Sequence, residues 1–196
     1  ESSEVEKKLR SCGREVFNVQ VRIMDEQDKD VPPGQVGEIV VRGPNVMRGY
    51  WKMPQETQEA LRGGWLHTGD MARMDEEGYL YLVDRKKDVV KSGGENIYSR
   101  EVEEAIASHP AVGEVAVIGI PDERWGEAVK AVIVLREGMA CTEREILEHC
   151  QNKLAGFKRP KYVSFEPALP KNITGKVLKA QLRERYRKAS GGAHGF

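Results

Sequence analysis

Four short stretches of the 196-residue sequence place reactive side chains where they can meet anions or hydroxyls. Asn172-Ile173-Thr174-Gly175-Lys176 sets a lysine at the tip of a glycine turn. Its ammonium can stabilise negative charge that gathers on a phosphate or carboxylate in a transition state; a solvated loop lysine is the plainer reading. Trp65-Leu66-His67-Thr68-Gly69-Asp70 ends an apolar stretch in an aspartate. Two carboxylate oxygens can accept hydrogen bonds from both hydroxyls of a ribose, although an Asp after Gly also simply forms turns. His67 reads as structural, since no Ser or Cys nucleophile motif accompanies it. Phe157-Lys158-Arg159-Pro160-Lys161 joins one ring to three cations. An Arg plane stacks on a purine while its neighbours neutralise phosphates; a solvated charge run would look the same. Ser92-Gly93-Gly94-Glu95-Asn96 lets a ligand approach backbone that has no Cβ, or is only a turn. It matches neither GxGxxG nor GxxxxGK[ST].

The elements that must hold these residues follow from periodicity. Residues 16–83 read as mostly β: Val19, Val21 and Ile23 alternate with polar neighbours, a Pro32-Pro33-Gly34 break follows, and 38–42 resume the alternation. A short helix is predicted from Pro54 to Leu61 with Gly63 as its stop. Asp75-Glu76-Glu77-Gly78 forms a hairpin turn before a strand over 79–83. Beyond the charged knot Asp84-Arg85-Lys86-Lys87-Asp88 the pattern changes. Ser99 is placed to cap a helix running to His109, with Val102 and Ile106 on its apolar face. Strands over 115–120 and 129–135 flank residues 121–127, which read as a loop too long for a tight hairpin. Thr142 and Glu145 make a capping box for a helix with Ile146, Leu147, Cys150 and Leu154 on one face. A strand over 162–165 and a closing helix through Leu178, Leu182 and Tyr186 complete the order βαββαβα. That order predicts an α+β fold: a small domain with a mixed or antiparallel three-stranded sheet flanked by helices, behind a β-rich segment. No internal repeat is present, and 191–196 read as a loose tail.

Composition narrows the class. The chain is 39% hydrophobic and 7% aromatic, too apolar for disorder. Its longest purely apolar run, 131–135, is far short of the roughly 20 residues a membrane helix needs. Cys12, Cys141 and Cys150 form no CxxC pair, so neither a disulfide framework nor a thiolate zinc site is expected, and a reducing cytoplasm fits. The formal charge of zero hides an asymmetry: residues 151–196 hold eleven Lys and Arg against Glu166 and Glu184. A basic C-terminal segment seeks anions.

Taken in order, six motifs share a pattern. They are Gly37-Glu38-Ile39-Val40-Val41-Arg42-Gly43, Gly49-Tyr50-Trp51, the stretch ending in Thr68-Gly69-Asp70, Asp84-Arg85-Lys86-Lys87-Asp88, Ser92-Gly93-Gly94-Glu95-Asn96-Ile97, and Pro170-Lys171-Asn172-Ile173-Thr174-Gly175-Lys176. Their series resembles the adenylate-forming superfamily, over about Gly13 to Tyr186. Within it the chain looks most like an AMP-forming acid:CoA ligase, which joins a carboxylic acid to ATP and then exchanges AMP for the thiol of coenzyme A. The resemblance implies that Asp70 and Arg85 hold the ATP ribose and that Lys176 is the catalytic lysine of adenylation. Lys87 matches the hinge about which the C-terminal domain rotates. Gly93 and Gly94 then line the pantetheine tunnel, and Trp125, Phe157, Arg159 and Lys161 contact the CoA nucleotide.

The family's phosphate loop, acid pocket and magnesium-binding Thr-Glu motif have no counterpart in 1–196. The resemblance therefore implies a C-terminal fragment: residues 1–84 from the large domain, a hinge near 86–88, and a mobile lid over 85–190. The magnesium site and the large-domain partner would lie upstream, the piece alone would be inactive, and no metal ligands are expected within it. A fatty acid is the expected substrate, with an aryl acid as the alternative. A module that only binds CoA or a nucleotide is a second reading. A nucleic-acid-binding basic tail is a third, with no recognised reading motif behind it, so neither nucleic acid nor a membrane span is expected.

Overall fold

The computed structural model describes residues 8–191, and the chain divides into two compact units, Glu1–Lys87 and Asp88–Phe196. In the first, strands β1 (Gln20–Met24), β2 (Val36–Arg42), β3 (Leu66–Met74) and β4 (Leu80–Arg85) pair antiparallel in sequence order. Helix α1 (Pro54–Ala60) lies in the β2–β3 connection. Successive strand residues point to opposite faces. Ile39 joins Ile23, Ala72 and Leu80 on one side, while Val40 joins Met24 and Trp65 on the other. Strand β2 is thus covered on both faces, and its one acid, Glu38, is buried with it.

The register of this sheet is irregular at two places. Glu38 pairs with Met71 and Val40 with His67, so Thr68, Gly69 and Asp70 face the single residue Ile39. A second irregularity follows between Met71 and Ala72 against β4. Bulges of this kind bend a strand and re-aim its side chains, and the first lies in the segment that ends in Asp70.

The second unit contains β5 (Val90–Ser92), β6 (Glu95–Ile97), α2 (Ser99–Ala107), β7 (Val112–Asp122), β8 (Gly126–Leu135), α3 (Glu143–Gln151), β9 (Tyr162–Phe165) and α4 (Lys179–Gly191). Strand β8 pairs antiparallel with β7 along its length and parallel with β9, and it meets β5 at Gly126. Alternation again makes two cores. Val117, Val129, Ala131 and Ile133 pack against Val102 and Ile106 of α2 and Ile146 and Cys150 of α3. Ala116, Ile118, Ala128 and Val132 pack against Leu182 of α4. Lys130 interrupts the apolar run of β8, yet it is buried: its Nζ donates to Ser164 Oγ at 2.7 Å and stands 4.2 Å from the Tyr186 ring centre. Burial pushes this ammonium below the usual lysine range.

The α+β class and the mixed three-stranded core of β7, β8 and β9 agree with the sequence reading. Three local features differ. The β5–β6 hairpin, whose two strands were not among the expected elements, extends the sheet to five strands with Gly93-Gly94 as its turn. The loop expected over 121–127 shrinks to residues 123–125, because the ladder continues to Asp122 opposite Gly126. Pro121 is tolerated there since β7 is an edge strand. Ser99 does not cap α2: it lies inside the first turn, fully buried, and its Oγ accepts from Lys179 Nζ at 2.7 Å. The Thr142–Glu145 capping box is formed as expected. Of the tail read over 191–196, Gly191 ends α4 and 192–196 lie outside the described residues.

Leu182 closes one core and Ile173 is fully solvated. Leu182→Ala is expected to cost about 3 kcal/mol in urea unfolding, while Ile173→Ala leaves the midpoint unchanged within error.

Candidate functional site

In the first unit the bulge projects Asp70, and the register sets it opposite Arg85 of β4. Arg85 Nε lies 2.7 Å from Asp70 Oδ1, and the two side chains keep 46% and 31% exposure. The bulge is held by its own residues. Thr68 Oγ1 donates to Ile39 O at 2.8 Å and accepts from Asp70 N at 3.1 Å, and Gly69 takes φ +72°, a left-handed conformation that glycine adopts without strain. The result is a carboxylate with one oxygen on a guanidinium and the other open, a fit for a pair of adjacent hydroxyls.

Behind this pair stands Glu38, whose side chain is only 5% exposed. Its oxygens accept from Gly69 N at 3.0 Å and Lys86 Nζ at 2.8 Å, and His67 Nδ1 lies at 3.1 Å. Arg62, which grips Asp28 through Nε and Nη2, completes the cluster at 3.5 Å. Burial alone would raise the Glu38 carboxyl; the hydrogen bonds from Lys86, His67 and Gly69 outweigh it and hold the group below the usual range. His67 is accordingly structural, its side chain as buried as that of Glu38. Sequence reasoning did not single out Glu38. The signal was its place in β2: alternation puts it on the face of fully buried Val40.

In the second unit Gly93 and Gly94 form the two-residue turn of the β5–β6 hairpin, with φ +61° and +86°. Two positive φ values are what such a turn needs to match strand twist. Gly93 N donates to Trp125 O at 2.8 Å, and a Cβ on Gly93 would stand 2.7 Å from Trp125 Cε3. The indole therefore lies directly on the Gly93 backbone. Asp122 Oδ1 accepts from the amides of Arg124 and Trp125, both at 3.0 Å, and fixes the β7–β8 turn that carries the ring. Lys161 Nζ and Arg124 Cζ stand 4.1 Å and 4.6 Å from the ring centre. The structure thus gathers Gly93, Trp125 and Lys161, and adds Arg124, which the sequence reading passed over although it adjoins Trp125.

The remaining candidates lie elsewhere. Arg159 donates through Nε to Leu154 O at 3.0 Å and through Nη2 to Gln151 O at 2.9 Å, so its guanidinium serves the C-terminal end of α3. Phe157 is half exposed in the turn Gly156–Lys158, and Lys158 bridges to Glu101. Among the described residues neither joins the Trp125 cluster. Lys176 sits on the exposed loop before α4. There Asn172 Oδ1 accepts from Thr174 N, Thr174 Oγ1 and Lys176 N, and Lys171 pairs with Val177 at the base. The loop is rigid by its own bonds, and the Lys176 ammonium makes no ion pair among the described residues. Lys87 is the last residue of the first unit and is exposed. Among the described residues no three His, Cys, Asp or Glu side chains cluster to hold a metal, and no helix is long and apolar enough to cross a membrane.

The AMP-binding enzyme family matches residues 1–51 and the AMP-binding enzyme C-terminal domain matches residues 101–176. The chain belongs to this adenylate-forming family and carries its C-terminal domain. It is 48% identical to feruloyl-CoA synthase of an Amycolatopsis species over 93% of its length and 37% of that protein. Against the long-chain-fatty-acid–CoA ligase of Escherichia coli O6:H1 it is 46% identical, over 90% of its length and 31% of the relative. The ATP-bound crystal structure of MatB from Rhodopseudomonas palustris superposes with a TM-score of 0.86 at 42% identity, covering 92% of this chain and 36% of that one. The chain thus spans about a third of the length of the curated relatives it matches.

A carboxyl held below its usual range stabilises the folded state above that range, and the contribution drains as pH falls through the lowered value. Urea unfolding at about pH 5.5 and about pH 3.5 is therefore expected to show a steep loss for the wild type. Glu38→Gln starts less stable at the higher pH and loses less on acidification; equal slopes would show that Glu38 is not a source of the acid sensitivity.

Proposed function

We propose that this protein is the C-terminal portion of an AMP-forming acid:CoA ligase, which converts a carboxylic acid, ATP and CoA into an acyl-CoA, AMP and pyrophosphate through an acyl-adenylate. The observation that carries the reading is the Trp125 ring lying on Gly93 with Lys161 and Arg124 at 4.1 Å and 4.6 Å from its centre, in a chain nearly half identical to two CoA-thioester-forming ligases. An aromatic face stacks on a purine, and the flanking ammonium and guanidinium meet phosphate charge. At Gly94, where a Cβ would meet no atom within 4 Å, the open backbone leaves room for a thin pantetheine chain.

On the adenylating side, Asp70 and Arg85 position the ribose. Lys176 approaches as the substrate carboxylate attacks the α-phosphate, and its ammonium stabilises the charge on both. Lys87 is the pivot between this arrangement and the thioester-forming one. The boundary between the large domain and the lid falls between Lys87 and Asp88, three residues later than the motif order alone implied, because Arg85 still pairs in β4 and Lys86 bonds to Glu38. The phosphate loop, the acid pocket and the magnesium ligands come from the remainder of a longer enzyme. Phe157 stays a candidate for the CoA nucleotide. Arg159 has to leave the end of α3 to take part, so its contribution is the smaller one.

The acid is a fatty acid, as the motifs suggest, or an aryl acid; the feruloyl-CoA synthase and long-chain-fatty-acid–CoA ligase relatives stand at similar identity. Thioester assays of the complete enzyme with palmitate and ferulate separate the two.

Three outcomes test the proposal. In the complete enzyme, Lys176→Ala is expected to lower adenylate formation by about a hundredfold or more, while thioester formation from supplied acyl-adenylate persists; equal loss of both half-reactions overturns the division of labour. Gly93→Ala pushes a methyl group into the Trp125 ring and strains a positive φ, so thioester formation should fall while adenylation is spared. The 196-residue chain alone should turn over no ATP with either acid; activity of the purified piece would show that it carries a complete site. A calorimetric titration of that piece with CoA separates a self-sufficient binding module, which gives heat, from a site that needs the rest of the enzyme.

A further inference from the structure

Lys86, Lys87 and Asp88 are consecutive, and the two units part between Lys87 and Asp88. The flanking residues are each tied into their own unit. Lys86 Nζ donates to Glu38 Oε2 at 2.8 Å, and Glu38 is held in turn by Gly69 N and His67 in the interior of the first sheet. Asp88 Oδ1 accepts from both Nη1 and Nη2 of Arg183 at 3.0 Å, with side-chain exposures of 13% and 28%. Arg183 follows fully buried Leu182 on α4, so this anchor is fixed by helix packing. Two residues beyond Asp88, Val90 is buried in the core of the second unit. Lys87 is exposed, and of the three only its side chain makes no hydrogen bond or ion pair among the described residues.

A hinge needs a few residues free to change φ and ψ, between segments that move as rigid bodies. Side-chain bonds to a packed interior make Lys86 and Asp88 part of those bodies. We propose that Glu38 and Arg183 are positioning residues that hold Lys86 and Asp88 to their respective units and confine the torsional change to Lys87. The proposal rests on the reading of Lys87 as the pivot of a two-step ligase. Glu38 also bonds Gly69 N, so the same carboxylate that fixes one side of the pivot fixes the bulge bearing Asp70. Bending at the pivot then leaves the ribose clamp undisturbed.

Backbone amide order parameters, measured by NMR on the 196-residue chain, read the device directly. The wild type should dip at Lys87, with neighbours near the rigid value of about 0.85. Lys86→Ala should spread the dip toward residue 84, and Arg183→Ala toward residue 90. The swap Asp88→Arg with Arg183→Asp should narrow it again, which a merely destabilised helix would not do. A wild-type dip across all of 84–90, or an unchanged profile in both single variants, overturns the proposal. In the complete enzyme, Arg183→Ala should lower overall turnover about tenfold with the KM for ATP nearly unchanged. Unaltered turnover overturns the link between confinement and catalysis. A wild-type enzyme that forms neither adenylate nor thioester overturns the ligase reading instead, and leaves the relaxation profile to decide the clamp.

Discussion

A charge taken out of water has to be met by partners, and this requirement organises the candidate site of the first unit. Glu38 occupies a core position in β2 with almost no exposure. An isolated buried carboxylate would be strongly destabilising, so the neighbouring segments supply donors: Gly69 N from the bulge, His67 from β3, Lys86 from the end of the sheet. Satisfying one side chain thereby fixes the two segments that carry Asp70 and Arg85. Their own ion pair, half exposed and screened by water, contributes little to stability; it is held in place by the buried network more than it holds anything itself.

The second unit solves a different problem. Strand β8 is apolar on both faces and so needs cover on both, which α2 and α3 supply on one side and α4 on the other. Its one cation, Lys130, is tolerated because Ser164 and the Tyr186 ring meet it. With the interior filled by apolar contacts, reactive groups are displaced to turns. Trp125 rides the β7–β8 turn, Gly93 and Gly94 the β5–β6 turn, and Lys176 a loop closed by Asn172. Two of these turns are stiffened by a side chain that accepts backbone N–H groups, Asp122 in one and Asn172 in the other, and the glycine turn by its bond to the Trp125 carbonyl. Functional residues on loops need such a scaffold if they are to present a fixed geometry.

Much of this was legible in the residues. The apolar runs 115–120 and 129–135, the Thr142–Glu145 box and the glycines of the turns are local signals, and local interactions produced what they announced. The motif order was enough to indicate an adenylate-forming enzyme, and Asp70, Arg85, Gly93 and Lys176 all stand on exposed turns, bulges or strand ends. The misjudged details were those in which a distant partner competes with a local preference. Ser99 has the composition of a cap, but Lys179, eighty positions away, claims its hydroxyl. Pro121 signals a loop, but an edge strand does not need its missing N–H.

The sequence by itself determined the α+β class, most element positions and the family, because periodicity, capping and turn chemistry act within a few residues. Only the tertiary structure decided that Glu38 is the hub behind Asp70, that Trp125 lies on Gly93, and that Lys86 and Asp88 are anchored on either side of Lys87. Those facts depend on which strands lie next to each other and in what register. A carboxylate, a ring or a salt bridge has no preferred partner until long-range pairing brings one within a few ångströms.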